Sequence, residues 1–143
     1  MADTTFTPDQ ITKQAQLNAG VIPLVALAFL KEHGISLDQF ATFVGERFAP
    51  GWSTLQGGAA EVARMAALNI VSGGADLVGP EGDENRAEAT LAGWGGQETL
   101  DMLGLTQAEA DTFVDAFGPI AASLGLRYAA RRAGDQLHLS FTR

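Results

Sequence analysis

The chain has no cysteine in its 143 residues. Disulfides, thiolate metal centres and cysteine nucleophiles are therefore excluded. Positive charge is scarce as well: nine Lys and Arg stand against 17 Asp and Glu, a formal net charge of −8. Nucleic-acid binders displace counterions with a dense basic surface, and anionic membranes attract the same density of cations. Neither partner is expected. The two lysines, Lys13 and Lys31, follow none of the glycine runs, so GWGG and LQGGAAE do not make a phosphate loop. Histidine is limited to His33 and His138, with no H-E-x-x-H, and no metal or cofactor is expected. A G-x-S-x-G elbow is missing too. The acidic stretch Glu81, Asp83, Glu84 and Asn85 lacks the twelve-position calcium pattern and reads as a solvated turn. The longest apolar run covers residues 19–30, short of the roughly 20 residues a bilayer demands. The opening MADTTFTPDQ lacks the basic flank of a secretory leader, which leaves the cytoplasm as the default expectation.

What is present describes a globular domain. Apolar residues make up 46% of the chain, enough for one core at this length. Residues 1–6 read as a loose tail and 7–143 as a single domain. Helix starts are marked by reciprocal capping pairs: Thr7 with Gln10, Ser36 with Gln39, Ser53 with Gln56, and Thr106 with Glu109. The first helix is predicted to reach Glu32 before Gly34. Pro23 lacks an N–H, so a kink or a split is predicted near residues 19–22. Beyond it the segment is apolar on nearly all sides, the pattern of a buried central helix. A second helix should stop before Pro50. A third, alanine-rich helix should begin with Ser53 as its cap and end at Gly73 and Gly74. Residues 75–85 read mostly as loop, with Leu77 and Val78 as a short strand or the first arm of a hairpin as the alternative.

Residues 86–94 read as extended, with Ala87, Ala89 and Leu91 facing one way. Two further helical stretches follow, the second carrying Phe113, Phe117, Ile120 and Leu124 on one face, kinked at Gly118-Pro119 and ending at Gly125. The chain closes with a hairpin: Leu137, Leu139 and Phe141 alternate with His138, Ser140 and Thr142 after a Gly134-Asp135 turn. The expected class is α+β, with N-terminal helices packed on a small C-terminal antiparallel sheet of at least three strands. Its free edges offer a homodimer surface.

The two tryptophans, Trp52 and Trp94, each follow a glycine near a helix start. They can simply close loops, or they can share a pocket as flat apolar walls carrying one N–H each. The second alternative suits a flat small molecule. Phe43, Phe48 and Tyr128 are further wall candidates, and Arg127, Arg131 and His138 are candidate polar anchors for an aromatic carboxylate-like ligand. The basic residues near the C-terminus can equally form a salt-bridged surface. Glu88 and His138 are the residues on which a small hydrolase or isomerase would rest.

The layout of the chain, with the extended segment NRAEATLAGW in its middle and the ending LGLRYAARRAGDQLHLSFTR, resembles the vinyl-reductase-type small-molecule-binding domains and the related amino-thiazoline-carboxylate hydrolase-like proteins. The resemblance could extend over residues 10–143. It implies an α+β module, dimeric, with an apolar pocket between helices and sheet. Members of that group place cysteines after the middle strand and in the last one. Gly93 to Gly95 and the neighbourhood of Leu139 occupy those regions here, so no thiol chemistry carries over. Together these readings lead to a small-molecule-binding or sensory module for an apolar or aromatic ligand. A homodimeric interaction domain and a cysteine-independent hydrolase or isomerase are the alternatives.

Overall fold

The computed structural model describes residues 5–143. The tail expected over residues 1–4 lies outside the described residues, and residues 5–7 carry no regular structure. Thr7 then opens α1 (Pro8–Glu32) through a complete capping box with Gln10. The chain continues through α2 (Leu37–Phe48), a 3-10 turn over Ala49–Trp52, α3 (Gly58–Val71), β1 (Asp76–Gly82) and β2 (Arg86–Ala92). It ends with α4 (Gln97–Leu103), α5 (Gln107–Asp111), a second 3-10 turn over Thr112–Ala116, α6 (Phe117–Ser123), β3 (Arg127–Ala133) and β4 (Gln136–Thr142). The fold is α+β: a helical layer packs on one face of a four-stranded antiparallel sheet of order β1-β2-β4-β3.

Period-two alternation sets the two faces of the sheet. Ala87, Ala89 and Leu91 of β2, with Leu137, Leu139 and Phe141 of β4, point inward and are almost fully buried. Each large aliphatic or aromatic side chain among them contributes about 1.5–3 kcal/mol by leaving water. The helix lying across this face is α3. Its inward positions are Ala59, Val62, Ala63, Ala66, Ala67 and Ile70, all buried. Small side chains on helix and strand let the two backbones approach closely, as the density of alanine suggests.

Four expectations need correction. First, α1 is continuous through Pro23 and is peripheral, not central. It buries Gly20, Leu24, Leu27 and Ala28, while Ile22, Val25 and Phe29 stay 46–64% exposed. Second, Ser53 caps nothing. The chain between Ala49 and Trp52 continues as a 3-10 turn, and α3 begins at Gly58 with the Glu61 carboxylate accepting from the Gln56 and Gly57 amides. Third, most of residues 75–85 form strand β1. It is an edge strand, where Pro80 costs no ladder bond, and it carries a bulge between Leu77 and Gly79. The sheet therefore has four strands. Fourth, Gly118 and Pro119 lie within α6, and the change of helical form comes earlier, at the 3-10 turn over Thr112–Ala116.

Candidate functional site

An apolar cavity of about 330 Å³ opens between α1, α2, the end of α3 and the segment from Phe113 to Ile120, and both tryptophans line it. Trp94 arrives from the β2–α4 loop. It is 4% exposed, lies over Phe113 with ring centroids 6.3 Å apart, and donates from Nε1 to the Ala110 carbonyl at 3.4 Å. The Gln107 amide holds its loop by donating to the Trp94 carbonyl at 3.1 Å. Trp52 comes from the first 3-10 turn and meets Phe117 edge-on at 5.9 Å. Its Nε1 has no hydrogen-bond partner among the described residues. Ile70, Ile120 and Phe117 form the buried floor, and the exposed Phe48 and Ala19 stand at the mouth.

The aromatic wall continues into the sheet. Phe117 packs edge-on against Tyr128 at 6.2 Å, and Tyr128 reaches Phe141 at 5.2 Å. Tyr128 Oη donates to the Val114 carbonyl at 2.8 Å, which fixes the ring behind the cavity instead of in it. Burial, with the charges of Asp115 and Asp111 nearby, holds the phenol above its ordinary pKa, so it stays neutral.

Polar groups at the cavity are few. Asn69 and Ser72 each donate to a carbonyl of α3, Met65 and Leu68. Pro23 supplies no N–H to the Ala19 carbonyl, and both residues line the cavity. No charged side chain lines it among the described residues. An ionised carboxylate placed there would be unpaired and costly.

The expected anchors lie elsewhere. Arg127, Arg131 and His138 occupy the outward face of the sheet, because outward and inward positions alternate along β3 and β4. Arg127 donates to the Arg143 carbonyl at 3.1 Å. Phe43 is 54% exposed, with the Arg47 guanidinium 4.8 Å from its ring centroid, and does not line the cavity. Of the eight residues proposed from sequence, the cavity brings together Trp52, Trp94 and Phe48. Ala19, Pro23, Val44 and Ala116 were missed, since small wall residues leave no compositional mark.

On the outward sheet face β2 and β4 bring Glu88, Thr90, His138 and Ser140 into two adjacent register rows, Glu88 opposite Ser140 and Thr90 opposite His138. His138 Nδ1 lies 3.0 Å from Glu88 Oε1 and 3.1 Å from Thr90 Oγ1, and Ser140 Oγ donates to Glu88 Oε2 at 3.0 Å. A carboxylate only accepts, so Nδ1 carries the proton. Partial burial opposes ionisation of Glu88, but hydrogen bonds from Ser140 and His138, with the charges of His138 and Arg131, outweigh it and lower the pKa. The other arginine of β3 is committed: Arg132 makes a two-pronged pair with Asp111 at 2.6 and 2.8 Å.

His33 closes α1 as a capping residue, its Nδ1 2.8 Å from the Phe29 carbonyl. Asp83 accepts from the amides of Asn85 and Arg86 at 2.8 and 3.0 Å, which makes the acidic stretch the turn between β1 and β2. No family model matches the chain, and none of the curated proteins matches it.

Proposed function

We propose that the chain is a small-molecule-binding module that holds a neutral apolar or aromatic ligand between Trp52 and Trp94. The observation that carries this reading is the cavity itself: about 330 Å³ lined by both indole rings and by no charged side chain among the described residues. At about 30 Å³ per water it has room for roughly ten waters, and its size falls within the range of ligand pockets. The ligand narrows from the aromatic carboxylate expected at first to an uncharged molecule, with at most one acceptor for Trp52 Nε1 and one donor for the Ala19 carbonyl. The layout-level resemblance to small-molecule-binding domains points the same way.

The test is titration with N-phenyl-1-naphthylamine, a neutral apolar fluorophore that quenches tryptophan by energy transfer. Saturable 1:1 binding is expected. Ala19→Trp, an exposed helix position at the cavity mouth, should weaken it at least about tenfold without changing the melting temperature. Native mass spectrometry of protein purified from its source should show a copurifying mass below a few hundred daltons. Absence of saturable binding, or binding indifferent to both Ala19→Trp and Trp52→Ala, would overturn the reading.

A second reading rests on the outward sheet face. A histidine oriented through Nδ1 by a carboxylate, with Nε2 unpartnered among the described residues, has the arrangement of a general base. It would serve a small hydrolase or isomerase. Hydrolysis of neutral aryl esters that is lost in both His138→Gln and Glu88→Gln, with a pH profile following one histidine, would favour it over the cavity.

A further inference from the structure

The outward face of α1 repeats with a period that the domain itself does not use. Ile11, Ala15, Asn18, Ile22, Val25 and Phe29 follow one another at spacings of four, three, four, three and four, a strict heptad stripe. All six are exposed; the four large ones are 58%, 64%, 46% and 57% accessible in chain order. The side of the helix fastened to the domain is the opposite one, through Gly20, Leu24, Leu27 and Ala28. A sequence that needed only to cover its own core would place polar residues at these outward positions.

The first half of α1 sharpens the point. Residues 8–19 are exposed on every side, and an isolated helix of about twelve residues is marginal in water. Charge selects the partner. From Thr7 to Leu30 the helix carries only Asp9 and Lys13, which pair with each other at 3.0 Å and lie off the stripe. In a chain of net charge −8 this is the surface on which another equally acidic copy meets no like charge at the contact. The sheet edges are poor substitutes, since β1 carries Pro80 and a bulge and β3 carries Arg127, Arg131 and Arg132.

We infer that the stripe on α1 is a dimerisation surface that pairs in parallel with α1 of a second copy. The parallel sense follows from Asn18. Its Oδ1 already accepts from Gln14 Nε2 at 2.9 Å; in that register its Nδ2 meets Asn18 of the second copy, so the one polar residue in the stripe finds its remaining partner in its own counterpart. The antiparallel register that overlaps the whole stripe would set it against Ile22, and one shifted to pair Asn18 with itself would leave Phe29 uncovered. The stripe is about 27 Å long at 1.5 Å per residue. Pairing buries on the order of 1,000 Å² in total, the scale of a weak, concentration-dependent interface. The α1 helix is also the one element, among the described residues, long and apolar enough by length and composition to cross a membrane. Attachment of its second half to the domain favours a protein partner over a lipid one.

Sedimentation of the full chain across about 1–200 µM tests the assignment. A monomer–dimer equilibrium with a micromolar dissociation constant is expected. Ile22→Glu should weaken it at least about a hundredfold while leaving circular dichroism and melting of dilute protein unchanged. Because the natural chain has no cysteine, Asn18→Cys should form a disulfide-linked dimer under mild oxidation and Gln16→Cys should not. A chain that stays monomeric to 200 µM, a dimer untouched by Ile22→Glu, or a monomer that instead floats with phosphatidylcholine vesicles would overturn the proposal.

Discussion

Gly45→Ala places a methyl group where the structure has no room for one. The Cβ would overlap the Ala116 carbonyl oxygen and stand 3.0 Å from Pro119 Cδ, so backbone closes one side and a proline ring the other. Neither neighbour can rotate away. The seam between α2 and the segment that follows α5 must open by on the order of an ångström, at about 1–3 kcal/mol for overpacking. Alanine recovers about 0.5–1 kcal/mol of helix propensity over glycine. The net expectation is a loss of roughly 1–2 kcal/mol, which at this length lowers the melting temperature by about 3–7 °C. The same seam carries Val44 and Ala116 into the cavity wall, so naphthylamine affinity should fall with stability. Gly51→Ala is the matched control: nothing lies within 4 Å of its added Cβ, and it should be neutral. Urea unfolding of both variants decides the matter. If Gly45→Ala were as stable as Gly51→Ala, the close approach of α2 to Ala116 would be refuted, and the cavity geometry with it.

Asp111→Asn removes the charge that Arg132 grips at 2.6 and 2.8 Å with both side chains mostly covered; urea unfolding should show a loss of about 1–3 kcal/mol, eased by 1 M salt less than a surface pair would be. Asp115→Asn should act in the opposite direction. Burial and the charges of Asp38 and Asp111 raise the pKa of Asp115, so the folded state holds its proton more tightly than the unfolded chain does. Its ionisation therefore costs stability above the raised value, and that cost disappears below the ordinary value of 3.8. The variant should melt higher than the natural protein at pH 7 and no higher at pH 3, as followed by circular dichroism. Glu88 has the reverse sign: its lowered pKa makes a contribution that is present above its ordinary value and fades as pH falls through the lowered one.

Local signals were legible wherever one physical cause dominated. The Thr7 and Thr106 capping boxes form as their spacing requires, and the C-terminal hairpin turns at Gly134 with φ +62°. The alternation in β2 and β4 identified the buried face correctly. Readings failed where two causes compete. Ser53 and Gln56 have the spacing of a cap, yet Pro50 pre-sets a 3-10 turn that places Ser53 too early to serve α3. Residues 75–85 read mostly as loop from their glycines and acidic residues, yet Asp76–Gly82 is a strand, its Pro80 accommodated by the edge position. The apolar circumference of α1 reads as a mark of burial, yet one side of it faces the core and the other faces out. The candidate site was legible only in its tryptophans. Whether Trp52 and Trp94 converge depends on the packing of α2 against the segment after α5, a contact more than 60 residues apart in sequence.

Both proposals draw on α1, and its geometry explains how one helix serves two surfaces. At 100° per residue, Ala19 and Pro23 fall on the flank between the core-facing side and the heptad stripe. The cavity mouth and the stripe are thus neighbours on the same helix, and Pro23 follows Gly20, the first buried residue, by less than one turn. A proline there costs α1 one backbone bond, which is tolerable because Leu24, Leu27 and Ala28 hold the following turns in place. The Ala19 carbonyl loses its helical donor to that proline, and Ala19 lines a cavity otherwise poor in polar groups. A ligand with a single donor gains most from such a site, since an unmatched polar group on either side would be left without water or partner. That asymmetry, and not cavity volume, is what would select one neutral aromatic molecule over another of the same size.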